Sequence, residues 1–279
     1  MPLIMAMIIK QMWDSFQTWR LIRDKDYNGL TNMAIDEAIS HACGEEKSPT
    51  TLRLYGWKSP TVSIGYGQNA HSDIDFNFCK SAGIDVIKRP TGGRAVLHEN
   101  ELTFSISSST ENPLFPKNIL KSHKKISEAL LVGINRLGIK AELHHKSKKK
   151  LPRHPVCFYS PSMYELVVDG KKIVGCAQRR FKNSFLEHGS IPLRLNRNKI
   201  SSILKDNLFS SNKNIESFYL ENMAGLHELG SYFFPIDQII KNIVAGFEDY
   251  FGISFEEGNL STYERELVEN INRLVGEAR

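Results

Sequence analysis

The chain has 279 residues, 41% of them hydrophobic and 24% charged, a composition that fits one large globular domain, or one domain with an appendage, and excludes disordered or fibrous classes. Its net charge of +5, from 36 basic and 31 acidic side chains, is too small by itself to point to nucleic acid. No run approaches the roughly 18 consecutive apolar residues of a membrane span, and the apolar opening from Met1 to Ile9 lacks a basic n-region and an evident cleavage site. A cytoplasmic protein is therefore expected. Residues 1–17 read as an N-terminal leader of little consequence, with Met5, Met7 and Met12 as other possible starts.

In chain order, Thr18 to Arg23 reads as a strand, and Thr31 to His41 as a helix capped by Thr31 or Asn32, with Met33, Ile35, Ala38 and Ile39 supplying its apolar positions. Thr51 to Tyr55 and Thr61 to Ile64 alternate with period two, and turn residues between Trp57 and Pro60 suggest an antiparallel pair. Asp85 to Arg89 and Glu101 to Ser107 are further strands, and Lys117 to Leu137 is a helix. A hairpin is expected from Tyr164 to Cys176 around Asp169-Gly170, a strong turn signal. Beyond Asn196 the pattern becomes mainly helical, and Ile236, Ile239, Ile240, Ile243, Val244, Phe247, Tyr250 and Phe251 mark one apolar helix face. Leu260 to Leu274 reads as a weaker helix. There are no internal repeats.

Three stretches carry chemistry. The cysteines, Cys43, Cys79, Cys157 and Cys176, are widely spaced, so spacing indicates neither a zinc site nor a disulfide framework. Cys157 alone has a suggestive context, the loop Pro155-Val156-Cys157-Phe158 followed by Lys171 and Lys172, because a thiol beside an ammonium can become a nucleophile. A basic run from Lys140 to His154, with Lys121, Lys124 and Lys125, could steer an acidic partner toward that thiol, and it has no interleaved aromatic platforms for nucleic acid. Finally, Lys88 to His98 sets Gly92-Gly93 between a strand and an apolar segment. Backbone donors there, with Arg89 and Arg94 beside them, could bind a phosphate or a carbonyl oxygen.

Together with Asn32-Met33-Ala34-Ile35-Asp36-Glu37-Ala38, Ser63-Ile64-Gly65-Tyr66-Gly67-Gln68 and Gly175-Cys176-Ala177-Gln178-Arg179, these stretches resemble the family of lipoate-protein ligases, biotin-protein ligases and octanoyltransferases. The resemblance runs from about Thr18 to Phe251 and is nearest the octanoyltransferases. Arg94 stands where the ATP-using ligases usually have a third glycine, and those ligases lack the cysteine at 157. Glu99 replaces the usual aspartate after the glycine-loop histidine, and Cys176 replaces a common serine. The fold implied is α/β of the α+β type: a mixed, largely antiparallel sheet flanked by helices over residues 18–252, with a helical C-terminal extension over 253–279.

The activity implied is ATP-independent transfer of an octanoyl group from octanoyl-acyl carrier protein to a lysine of a lipoyl domain, such as glycine cleavage H protein, in lipoate biosynthesis. Alternatives are an ATP-dependent lipoate or biotin ligase, an amidotransferase between lipoyl domains, or an acyl-binding protein without catalysis. By position, Cys157 would hold the acyl group as a thioester, and Lys172 would lower its pKa and position the carbonyl. Strand alternation lets only one of Lys171 and Lys172 face the pocket, and alignment with Gly175 favours Lys172. Arg89, Gly92, Gly93, Arg94, His98, Gly175 and His188 are the expected substrate-binding residues. No cofactor or metal is expected, and a monomer is.

Overall fold

A computed structural model describes residues 17–145, 163–205, 222–229 and 233–277. Cys157, most of the basic run and the N-terminal leader lie outside the described residues. The strands are β1 (Thr18–Arg23), β2 (Thr51–Tyr55), β3 (Thr61–Ile64), β4 (Asp85–Lys88), β5 (Val96–His98), β6 (Glu101–Ser109), β7 (Glu142–Leu143), β8 (Leu166–Val168), β9 (Lys171–Lys172), β10 (Gly175–Arg180), β11 (Ser184–Pro192) and β12 (Ser254–Glu257). The α-helices are α1 (Gly29–Gly44), α2 (Ala70–Asp73), α3 (Phe76–Ser81), α4 (Ile119–Arg136), α5 (Arg197–Ser202), α6 (Ile236–Phe251) and α7 (Thr262–Glu277).

A six-stranded mixed sheet in the order β10-β11-β6-β2-β1-β12 forms the body. Its β1 pairs in parallel with β2 and β12, and the remaining pairs are antiparallel. Alternation along β6 separates its two faces. Leu102, Phe104 and Ile106 enter a core completed by Trp19, Phe185 and Phe247, on the side covered by α4 and α6. Thr103 and Ser105 face the other way, where the Ser105 hydroxyl donates to Asp36 of α1. Helices α4 and α6 touch at their backbones: a Cβ added to Gly246 would lie 2.4 Å from Gly133 N, so neither glycine can carry a side chain.

Two smaller three-stranded sheets, β4-β3-β5 and β7-β8-β9, carry the glycine loop and the lysine hairpin. The structure corrects several sequence expectations here. β2 and β3 do not pair; the turn between them moves the chain from the main sheet to the smaller one. Helix α1 starts earlier than expected and is capped by Asn28, whose Oδ1 accepts from Thr31 N at 2.9 Å, because the Asn32 side chain is committed to Arg53 and to the Gly56 carbonyl. The hairpin turns at Asp169 and Gly170, both with positive φ, but it ends at Lys172. From Gly175 the chain joins the main sheet as β10. The segment after residue 252 is not purely helical: β12 extends the main sheet beside β1, and α7 packs on α1.

Candidate functional site

One face of α1 builds the foundation. Asn32 and Asp36 lie one turn apart, so both reach Arg53 of β2. The buried Arg53 guanidinium donates to Asp36 Oδ1 at 2.8 Å, to Asn32 Oδ1 at 2.7 Å and to Asp24 Oδ2 at 2.9 Å. Tyr55 OH donates to the other Asp36 oxygen at 2.8 Å, and His188 Nδ1 lies 3.2 Å from it. Burial pushes the Asp36 carboxyl up, but the His188 hydrogen bond and the Arg53 charge more than offset it and hold the pKa below the ordinary value. Burial lowers the pKa of His188. A neutral imidazole with its proton on Nδ1 donates to Asp36 and leaves Nε2 to accept from Thr91 Oγ1 at 2.6 Å.

Thr91 is in the loop between β4 and β5, so this chain of groups anchors the Gly92-Gly93 turn. Arg89 completes the anchoring. It is buried, and its guanidinium donates to the carbonyls of Ser63, Gly92 and Arg94 at 3.0, 2.7 and 2.8 Å. Gly93 has φ of 93°, open to glycine, and a Cβ on Gly65 would sit 1.9 Å from its carbonyl oxygen. Gly92 and Gly93 are exposed, and Arg94 is half-buried.

Between this loop, α1, β10 and β11 lies a narrow cavity lined by Met33, Tyr55, Trp57, Ser63, Arg89, Val96, His98, Thr103, Gly175, Cys176, Ala177, His188, Gly189 and Ser190. Of the residues expected at the site, Arg89, His98, Gly175 and His188 line it, whereas Gly92, Gly93 and Arg94 do not. His98 is fixed on both nitrogens, by Ser63 Oγ and Glu101 Oε1, each at 2.7 Å, and Trp57 stacks on it with ring centroids 4.0 Å apart. Burial raises the Glu101 pKa, but the His98 charge and hydrogen bond, with Ser190 and Thr103, bring it below the usual value. Glu99 turns away from the cavity and pairs with Lys199 of α5.

Lys172 is fully buried and Lys171 half-buried, so the register of the hairpin, Val167↔Lys172 and Val168↔Lys171, sends Lys172 inward. Its ammonium donates to Glu165 Oε1 at 2.6 Å. Close by, His123 of α4 pairs with the buried Glu187 of β11 at 2.8 Å. Burial disfavours the imidazolium, but Glu187, and then Glu165, raise the His123 pKa above its ordinary value. Glu165, His123, Glu187, Asp36, Ser63 and Trp57 are the site groups that sequence reasoning missed. Asp36 and Ser63 stand within the motifs that carry the resemblance, and Glu165 within the expected hairpin, but the partners of Asp36 and Ser63 are set by long-range pairing. Burial pushes the Cys43 thiol up to about 12 and the Cys79 thiol up to about 11, so these two are poor nucleophiles.

Residues 28–248 match the model of the lipoyl protein ligase A/B catalytic domain. The chain belongs to this family. It is 38% identical to the octanoyltransferase LipM of Carboxydothermus hydrogenoformans over 257 residues, 92% of this chain and 95% of that one. It is also 38% identical to the octanoyltransferase LipM of Clostridioides difficile, covering 91% and 94% of the two chains. A crystal structure of lipoate-protein ligase A bound with ATP shares the fold, with a TM-score of 0.75 at 24% identity, covering 92% of this chain and 94% of that one. The mixed sheet flanked by helices is thus the fold of the family's catalytic domain, as expected from the sequence.

Proposed function

We propose that this member of the family transfers an octanoyl group from octanoyl-acyl carrier protein to a lipoyl-domain lysine without ATP, through an S-octanoyl thioester on Cys157. The observation that carries the reading is a lined cavity beginning at Gly175, three residues beyond a fully buried, ion-paired Lys172. Octanoyltransferases of similar sequence support the acyl group and the reaction type. In the first step the Cys157 thiolate attacks the donor thioester and expels the carrier thiol. A free thiol with pKa near ~8.5 is a few per cent ionised at neutral pH, so the Lys172 charge increases the reactive fraction and steadies the carbonyl oxygen. In the second, the acceptor amine attacks and the Cys157 thiolate leaves. Exchange between thioesters is nearly balanced, and amide formation drives the cycle.

The cavity runs across the main sheet along the register row Gly175, Ser190, Thr103 and Tyr55. From β10 to β6 is two strand spacings, about 9–10 Å. An extended eight-carbon chain, advancing roughly 1.2 Å per bond, spans about 8–9 Å. Trp57, whose Nε1 donates to Thr103 Oγ1 at 2.7 Å, therefore meets the chain end. Trp57→Ala is expected to admit longer acyl groups: at ~0.8 kcal/mol per methylene, preference should move toward decanoyl over octanoyl by about tenfold. Competition between octanoyl- and decanoyl-carrier protein, read by mass spectrometry of the product, measures it.

The test of the function is intact-mass analysis after incubation with octanoyl-acyl carrier protein and no ATP. One hydroxylamine-labile octanoyl group should appear, and it should disappear in Cys157→Ala together with octanoylation of the lipoyl domain. Full turnover by Cys157→Ala, or an absolute requirement for ATP, would overturn the mechanism.

A further inference from the structure

Three side chains from three separate elements converge on the α4 side of the sheet: His123 of α4, Cys176 of β10 and Glu187 of β11. One ligand atom from each, an imidazole nitrogen, the thiol sulfur and a carboxylate oxygen, lies within 4.8 Å of both others. We propose that these residues form a binding site for a thiophilic divalent cation of the zinc type.

The ligand chemistry selects the metal. Thiolate, imidazole and carboxylate suit zinc, a borderline-soft cation, whereas magnesium and calcium favour oxygen donors alone. With metal–ligand bonds of about 2.0–2.3 Å, tetrahedral ligand atoms stand roughly 3.5 Å apart, so no gap has more than about 1.3 Å to close, and where the metal replaces the proton shared by His123 Nδ1 and Glu187 Oε1, now 2.8 Å apart, that pair opens by about 0.7 Å. Three protein ligands would leave a fourth position open, the arrangement of accessible zinc sites rather than of closed structural ones.

The surroundings favour a cation. Glu187 is fully buried, and its second oxygen accepts from Gln178 Nε2 at 2.7 Å, a contact that fixes the carboxylate in the manner of an outer-shell partner. Gln178 lies directly across from Glu187 in the β10–β11 ladder, and Cys176 is two residues before it on the same face. The nearby Lys172 ammonium opposes metal entry, but Glu165 is already paired with it. Two carboxylates and a thiolate outweigh one ammonium.

Cys176 also lines the cavity, so an ion held there would close off one wall of the acyl site. That consequence, inhibition of transfer, rests on the proposed function; metal binding itself does not. The site was invisible to cysteine spacing because its ligands are 53 and 11 residues apart in sequence, from 123 to 176 and from 176 to 187.

Cobalt(II) titration of the full-length Cys157→Ala protein tests the site, since cobalt takes zinc's place and a coordinated thiolate gives a near-ultraviolet charge-transfer band. That band should saturate at one equivalent and be displaced by zinc. It should vanish in Cys157→Ala/Cys176→Ser, and His123→Gln in the Cys157→Ala background should weaken binding by tenfold or more. A band that survives Cys176→Ser, no band in Cys157→Ala, or affinity unchanged by His123→Gln overturns the assignment. Far-ultraviolet circular dichroism of each variant separates loss of the site from loss of the fold. Failure of the octanoyl transfer test would leave these binding outcomes intact.

Discussion

Lys172→Met should reduce Cys157 acylation by octanoyl-carrier protein by about a hundredfold or more, the scale on which loss of one charged donor at a developing oxyanion is felt. The same substitution should destabilise the protein by about 3–5 kcal/mol, because it takes the ammonium away from its ion pair with the Glu165 carboxylate, which is only 4% exposed. The two effects can be separated. Lys172→Met/Glu165→Leu removes both charges, and replacing a buried ion pair by apolar side chains is often neutral, so urea denaturation should recover most of the stability. Acylation should stay lost. If the double variant regained acylation together with stability, Lys172 would be a structural group and its assigned role in activating Cys157 would be wrong.

The second large effect belongs to Asp36→Ala. This substitution removes the partner of a buried guanidinium, of Tyr55 OH, of Ser105 and of His188, leaving Arg53 with less compensation inside the protein. A cost of about 3–5 kcal/mol is expected at neutral pH. Its pH dependence has a definite sign. The Asp36 pKa is lower in the folded state than in the unfolded chain, so its stabilisation is fully present above the unfolded value, near ~3.9, and declines as pH falls through the lower folded value. His188 adds a second acid-side loss, because its lowered folded pKa means that the unfolded chain takes up a proton first as pH drops below ~6.5. Urea midpoints measured between pH 4.5 and pH 2 should fall steeply for the native protein and less steeply for Asp36→Ala. Equal slopes would show that Asp36 is not the titrating anchor. Since His188 holds Thr91 and thereby the glycine loop, the variant should also bind the acyl donor more weakly.

Local patterns made much of the scaffold legible. The period-two runs at Thr51 and Thr61, the apolar stripe from Ile236 to Phe251 and the Asp169-Gly170 turn all become the elements their spacing suggested, since each depends on neighbours a few residues away. The errors share a cause. Whether β2 pairs with β3, and whether the chain after Lys172 continues one hairpin, depend on partners far along the sequence. The strand β12 was missed because Ser254–Glu257 is short, polar and outside any hairpin, and gains its place only by parallel pairing with β1. Arg89 illustrates the same limit at the site. An arginine beside a glycine turn reads as a ligand for an anion, yet its hydrogen bonds hold the loop's own carbonyls.

By itself, then, the sequence determined the family, the glycine loop and the choice of Cys157 and Lys172 as candidates, because those rest on residue types and short spacings. Only the tertiary structure decided that Lys172 rather than Lys171 points inward, that Asp36 reaches the loop through His188, and that His123, Cys176 and Glu187 meet. The reason is physical: a buried charge must be met by a partner, and strand register and helix packing determine which distant residue supplies it.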